Sequence, residues 1–191
     1  MTASFRTLRR FLRSERGSFT VEAVVIFPLL VWAYTAMFVF WDAFKTQNVN
    51  LKATYTIADM ISREQEQICD DYMLGARSIY SFLSPGRANH QLRVTNVRQI
   101  RDADDNTAWE FWSFATPGLQ PYTEYEQFEE IVPIMADFDS ILIVSTATDW
   151  TPIFNVGLPA MTLSETVVTS PRFSPQIELC ASAGATTGTG S

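Results

Sequence analysis

Nineteen consecutive residues, Ala23 to Trp41, carry no charged side chain, and that run constrains the chain more than any average does. At about 1.5 Å of helical rise per residue it extends about 28 Å, close to the hydrocarbon thickness of a bilayer. A helix in the core of a soluble domain seldom runs so far without a polar face. The run therefore predicts a single transmembrane helix, residues 18–44, with Trp41 at the far interface and Asp42 and Lys45 just beyond it. Arg6, Arg9, Arg10, Arg13 and Arg16 precede it against Glu15 alone. The positive-inside rule then places this basic leader, residues 1–17, in the cytoplasm and everything after about Phe44 across the membrane.

A removable secretory signal is a poorer fit, because its apolar stretch spans about 7–15 residues and ends in a small-x-small cleavage site. Arg9-Arg10 opens like a twin-arginine signal, but Arg13 stands where a hydrophobic residue belongs. Pro28 lies inside the span, where it either kinks the helix harmlessly or serves as a hinge. Charge is divided as sharply as hydropathy. Of 14 basic and 21 acidic side chains, with a formal charge of −7, the first sixteen residues hold a net +4, so the remainder carries −11. An acidic body lacks the cationic face that phosphate binding needs, which argues against nucleic acid as a partner.

Beyond the span, Val49, Ala53, Ile57, Met60, Ile61 and Ile68 recur mostly at three or four residues, with Lys52, Asp59, Arg63, Glu64 and Glu66 between them. That spacing predicts an amphipathic continuation of the membrane helix through residues 45–68. Asp70-Asp71 can open a second helix reaching about Leu83, with Tyr72, Met73, Ala76, Ile79 and Tyr80 inward and Ser84-Pro85-Gly86 as its stop. After Gly86 the texture changes to short β-rich runs: Gln91 to Ile100, Ala108 to Phe114, Ser140 to Thr148 and Met161 to Thr169. Asp102 to Asn106 reads as a hairpin connection, and the acidic, proline-bearing stretch Thr116 to Asp139 as a loop with one short helix. The fold class is α+β: an N-terminal transmembrane helix continuing into an amphipathic helix, packed against a small antiparallel sheet, with residues 45–180 as a periplasmic domain. Residues 181–191 contain only Ala, Ser, Gly and Thr and predict a disordered tail.

Few residues carry catalytic or metal chemistry. Asp102, Asp104 and Asn106 alternate as calcium ligands do, but an EF-hand loop needs glycine next and glutamate at its twelfth position, where Thr107 and Ser113 stand. Glu124, Glu126, Glu129, Glu130, Asp137 and Asp139 read as a solvated face. His90 is the only histidine, expected exposed and given no role, which excludes a multi-histidine metal site. No phosphate-binding glycine loop, nucleophile elbow or Cys-x-x-Cys pair occurs. No catalytic residue, metal or cofactor is therefore assigned. Cys69 and Cys180, the only cysteines, both fall on the non-cytoplasmic side. An oxidising compartment favours their pairing, and two separately buried thiols are the alternative.

Glu22 stands at the mouth of the apolar run, where an ionised carboxylate in lipid costs about 2.5–3.5 kcal/mol unless it reaches headgroup depth or finds a partner. Its surroundings read Arg16-Gly17-Ser18-Phe19-Thr20-Val21-Glu22: a basic leader closed by glycine, then glutamate five residues later, ahead of an apolar helix. This resembles the processing site of type IV-type prepilins, where a membrane peptidase cuts after the glycine. The continuation Glu22-Ala23-Val24-Val25-Ile26-Phe27-Pro28-Leu29-Leu30 resembles, more narrowly, the TadE/TadF-like minor pseudopilins of bacterial tight-adherence pili. The resemblance implies cleavage between Gly17 and Ser18 and a register role for Glu22 in assembly. It also implies a single-pass inner-membrane subunit whose partners are the prepilin peptidase, other pilins, pilus assembly proteins and membrane lipid. The contrasting expectation is a membrane-tethered periplasmic enzyme or sensor in which Gly17 and Glu22 coincide by accident.

Overall fold

A computed structural model describes residues 18–84, 88–101, 106–180 and 185–190. Its longest element is α1, Ser18–Ser62, a single 45-residue helix with Pro28 inside it. A second helix, α2 (Asp70–Leu83), opens with two acidic side chains in its first turn, where they oppose the positive end of the helix dipole. Five strands follow: β1 (Ala88–Arg101), β2 (Thr107–Ala115), β3 (Ser140–Trp150), β4 (Met161–Thr169) and β5 (Ala185–Gly190). They form one open sheet in the order β4-β3-β1-β2-β5, every neighbouring pair antiparallel. The α+β expectation holds at this level, and four strands and α2 lie within a few residues of where the sequence places them.

The chain divides into two compact units, one of residues up to Asp42 together with Pro152–Leu158, the other of Ala43–Thr151 with Pro159 onward. In the second unit, strand alternation sorts the side chains onto two faces. Leu92, Val94, Trp112, Phe114, Leu142 and Val144 point to one side, where they bury Ala53, Ile57, Ala58 and Ile61 of α1 and Met73, Ala76 and Tyr80 of α2. Val97, Phe111, Ile141 and Ile143 point to the other. Register explains the sorting: Val94 sits opposite both Phe114 and Val144, and Val97 opposite both Phe111 and Ile141, so each triplet shares a face.

That second face is covered by the acidic connection between β2 and β3. Instead of a solvated loop with one short helix, residues 116–139 make a strap with two 3-10 turns, Tyr125–Gln127 and Glu129–Ile131. Its apolar side chains Tyr125 and Phe128 are buried against the sheet, while Glu124, Glu126, Glu129 and Glu130 remain exposed. Phe128 meets Phe111 edge to face at 5.0 Å, and Tyr125 stacks on Trp109 at 5.2 Å. Arg93 pins the strap: its guanidinium lies 3.7 Å from the Tyr122 ring centroid and donates to the Gln120 carbonyl at 3.2 Å. Burial lowers the pKa of Arg93, but a guanidinium stays charged. Where the strap turns at Gly118, φ is +109° and a Cβ would lie 2.3 Å from the Gln91 side chain, so this position requires glycine.

Three further expectations from the sequence differ from the structure. The amphipathic helix stops at Ser62 rather than Ile68, because the C-terminal segment captures the backbone beyond it. The Arg172 amide donates to the Ser62 carbonyl at 2.8 Å, and Ile68 bridges in parallel to Leu179. Residues 185–190, expected to belong to a disordered tail, form edge strand β5 on β2. The Gly-Thr alternation makes this possible: a Cβ at Gly188 would meet the Phe111 ring at 2.5 Å, and one at Gly190 the Tyr125 side chain at 2.5 Å. His90 is half-buried rather than exposed, lying edge to face against Tyr80 at 5.5 Å. The expected helix stop at Pro85-Gly86, the hairpin residues 102–105 and tail residues 181–184 and 191 lie outside the described residues.

Candidate functional site

Helix α1 is the one helix among the described residues long and apolar enough to cross a membrane, and only 6% of its most apolar 18-residue window is buried. A core helix of this composition would be mostly covered, whereas every residue from Thr20 to Tyr34 is exposed. Continuous helix satisfies its own backbone hydrogen bonds, which is what a chain needs to pass through hydrocarbon. Thr35 does the same with its side chain, donating to the Val31 carbonyl at 2.8 Å. The first half of the helix thus presents an apolar cylinder: Val24, Val25, Phe27, Leu29, Leu30 and Trp32 are all more than half exposed.

Glu22 lies on an exposed position of this helix four residues after Ser18, the first residue of α1. Gly17 and the leader, and with them the expected scissile bond, lie outside the described residues. The expected cleavage residues and Glu22 therefore belong to one short segment of chain, while the cysteines lie far along it.

Cys69 and Cys180 are joined in a disulfide across a separation of 111 residues, with Cα atoms 4.9 Å apart. Backbone bonds flank the bridge: the Ile68 amide donates to Glu178 at 2.9 Å and the Cys180 amide to Ile68 at 2.9 Å. Trp112 Nε1 donates to the Ile177 carbonyl at 2.8 Å, and Arg172 pairs with Asp59 at 3.0 Å. Together these tie the segment after β4 to the junction between α1 and α2.

A second feature was not apparent from hydropathy. Asn50 and Thr54 sit on the buried stripe of α1, where periodicity calls for apolar residues, and both are fully covered. Thr54 Oγ1 and Thr146 Oγ1 are 2.6 Å apart, and the Tyr80 hydroxyl donates to Asn50 Oδ1. Burial raises the pKa of Tyr80, whose hydroxyl is held neutral within this network. Two buried polar groups on α1, each partnered by one on α2 or β3, make a single alignment of the three elements preferable to its slipped alternatives, since slipping strands the partners. The signal available in sequence was only that the stripe carries two polar residues four apart.

No three His, Cys, Asp or Glu side chains are placed to hold a metal ion among the described residues. Of the calcium-like series, Asp102 and Asp104 lie outside the described residues. A cleft of about 350 Å³ is lined by Gln67, Arg98, Ser174, Gln176 and Glu178, a polar set whose members already bond one another: Arg98 donates to Gln176 at 3.1 Å and Gln67 to Glu178 at 2.8 Å. No protein-family model matches the chain, and no curated protein or solved structure shows significant similarity to it.

Proposed function

We propose that this protein is a minor pilin-like subunit of the TadE/TadF type, a single-pass inner-membrane protein that works by assembly rather than catalysis. In this reading a prepilin peptidase removes the leader between Gly17 and Ser18, with glycine leaving the backbone unhindered for the protease. The mature subunit then takes part in initiating or building a tight-adherence pilus with other pilins and assembly proteins.

The observation that carries the reading is the division of labour in α1: one uninterrupted helix, exposed and apolar in its first half, becomes part of a folded core in its second. A subunit that must stay in lipid before assembly and pack helix against helix afterwards needs this plan. Cleavage would expose the Ser18 amine four residues from Glu22, about 6 Å along the helix. Pairing of that amine with the carboxylate of a neighbouring subunit would relieve both buried charges and set the axial register, the best-attested use of buried ion pairs.

The mass of the full chain extracted from membranes tests the reading. An N-terminus at Ser18 in cells with active prepilin peptidase, and an intact leader in cells without it, is expected. An intact leader in both overturns the proposal. The register role has its own test: Glu22→Leu should be processed yet absent from sheared pili, and incorporation equal to the parent would refute it.

A further inference from the structure

The connection between β3 and β4 differs in chemistry from the other described connections of the chain. From Trp150 to Ser164 no residue is charged, and the tip reads Pro152-Ile153-Phe154-Asn155-Val156-Gly157-Leu158. By contrast, the strap between β2 and β3 carries carboxylates outward and buries Tyr125 and Phe128, leaving Ile134 and Phe138 exposed among charged neighbours. At the β3–β4 tip the order is inverted. Ile153 is 50% exposed and Phe154 51%, while Pro152, Val156 and Leu158 are half-buried.

The tip also belongs elsewhere than its strands do. Pro152–Leu158 forms one compact unit with the helix residues up to Asp42, not with the sheet that carries it. Within that unit, α1 is exposed at every residue from Thr20 to Tyr34 and then gains a covered side: Thr35 and Ala36 are half-buried and Val39 is 1% exposed. Those covered residues precede Trp41 by two to six positions, which is about 3–9 Å down the helix from the end of the apolar run.

We infer that the β3–β4 tip is a second membrane-contacting element, inserting Ile153 and Phe154 into the lipid interface beside the far end of the helix. The inference rests on α1 spanning the bilayer. Given that, depth, composition and exposure agree. Interfacial elements bury their apolar groups about 5–10 Å into the boundary between headgroups and acyl chains, the level at which α1 becomes covered. Irregular backbone cannot go deeper exposed to lipid, because its amides and carbonyls would lose water without gaining partners. The tip therefore stops at the boundary, and only its side chains enter. A lipid surface is the favoured occupant, because the patch belongs to the same unit as an already exposed apolar surface and carries no charge to select a protein partner.

Nitroxide accessibility tests this in the full chain reconstituted into phosphatidylethanolamine–phosphatidylglycerol vesicles. Labels are placed by Phe154→Cys, by Ile153→Cys as a second probe of the tip, by Leu30→Cys in the span and by Ile134→Cys on the body, where the side chain is fully exposed. Oxygen partitions into lipid and a nickel chelate stays in water. Labels at 30, 153 and 154 are expected to relax more with oxygen, and the label at 134 more with nickel. Oxygen preference at 30 with nickel preference at 153 and 154 overturns the tip while leaving the span standing. Shielding of 153 and 154 from both agents means a protein surface, such as a second copy, covers the tip, and also overturns it. Nickel preference at 30 removes the span itself and the inference with it.

Discussion

The two halves of helix α1 make the same backbone hydrogen bonds and face opposite environments. From Thr20 to Tyr34 every side chain is exposed and nearly all are apolar, whereas from Ala43 to Ser62 one stripe is buried and the exposed remainder, Phe44 and Tyr55 apart, is largely polar. The backbone is indifferent to this change, since its donors and acceptors are satisfied within the helix in both halves. What differs is where the apolar surface goes. In the second half the sheet takes it from water; in the first it stays exposed along a helix long and apolar enough to cross a membrane.

The strongest way to break the contrast is to delete equal apolar volume in each half. Ile57→Ala should lower the stability of the sheet domain by about 2–5 kcal/mol, because Ile57 is fully buried. Leu30→Ala should leave it within about 0.5 kcal/mol of the parent, because Leu30 touches no core. Urea melts of the full chain in detergent, followed by near-ultraviolet circular dichroism, read both; equal losses would erase the distinction. Next in size is the bridge. Replacing Cys69 and Cys180 together with serine should cost about 2–4 kcal/mol in the same melts, and reductant should shift the parent but not the variant.

Threonines sharpen the comparison further. Thr54→Val leaves Thr146 facing a methyl group and should cost about 1–3 kcal/mol, whereas Thr35→Val removes only a bond to the helix's own Val31 carbonyl and should leave the domain's midpoint unchanged. The smallest effect is alkaline. The pKa of Tyr80 is raised from its ordinary value of 10.0 by burial. The hydroxyl is neutral in both states below that pH and its contribution is complete there. Above it the unfolded tyrosine ionises first and stability falls. Tyr72 and Tyr125 share the sign through their own burial. The midpoint should therefore drop as pH rises above about 10, and Tyr80→Phe, already weaker at neutral pH by about 1 kcal/mol through loss of the Asn50 bond, should drop less steeply.

Much of the fold was readable because it rests on periodicity. Ile57, Ile61, Met73 and Ala76 recur at helical spacing and are core, and β4 spans Met161–Thr169 as the alternation predicted. Failures fall where the deciding partner is far along the chain. Nothing near Gly188 says that Phe111 will lie against it, and a run of Ala, Thr and Gly has no apolar pattern to advertise a strand. The strap between β2 and β3 was read from its carboxylates, although its buried Tyr125 and Phe128 decide where it goes. Of the candidate site, the apolar run was legible because helix length and hydropathy lie in local order. Asn50 and Thr54 were not, because a polar residue on an apolar stripe acquires meaning only from what it meets.

By itself the sequence determined that one segment is long and apolar enough to cross a membrane, that arginines precede it, and which later segments alternate as helix or strand. These follow from side-chain transfer free energies and backbone periods, which act within a few residues. Only the tertiary structure decided that α1 ends at Ser62, that Cys69 meets Cys180, that the last strand closes on Phe111 and that the β3–β4 tip shares a compact unit with the first half of α1. Each is a contact between residues remote in sequence, and its free energy exists only once the sheet has brought the partners together.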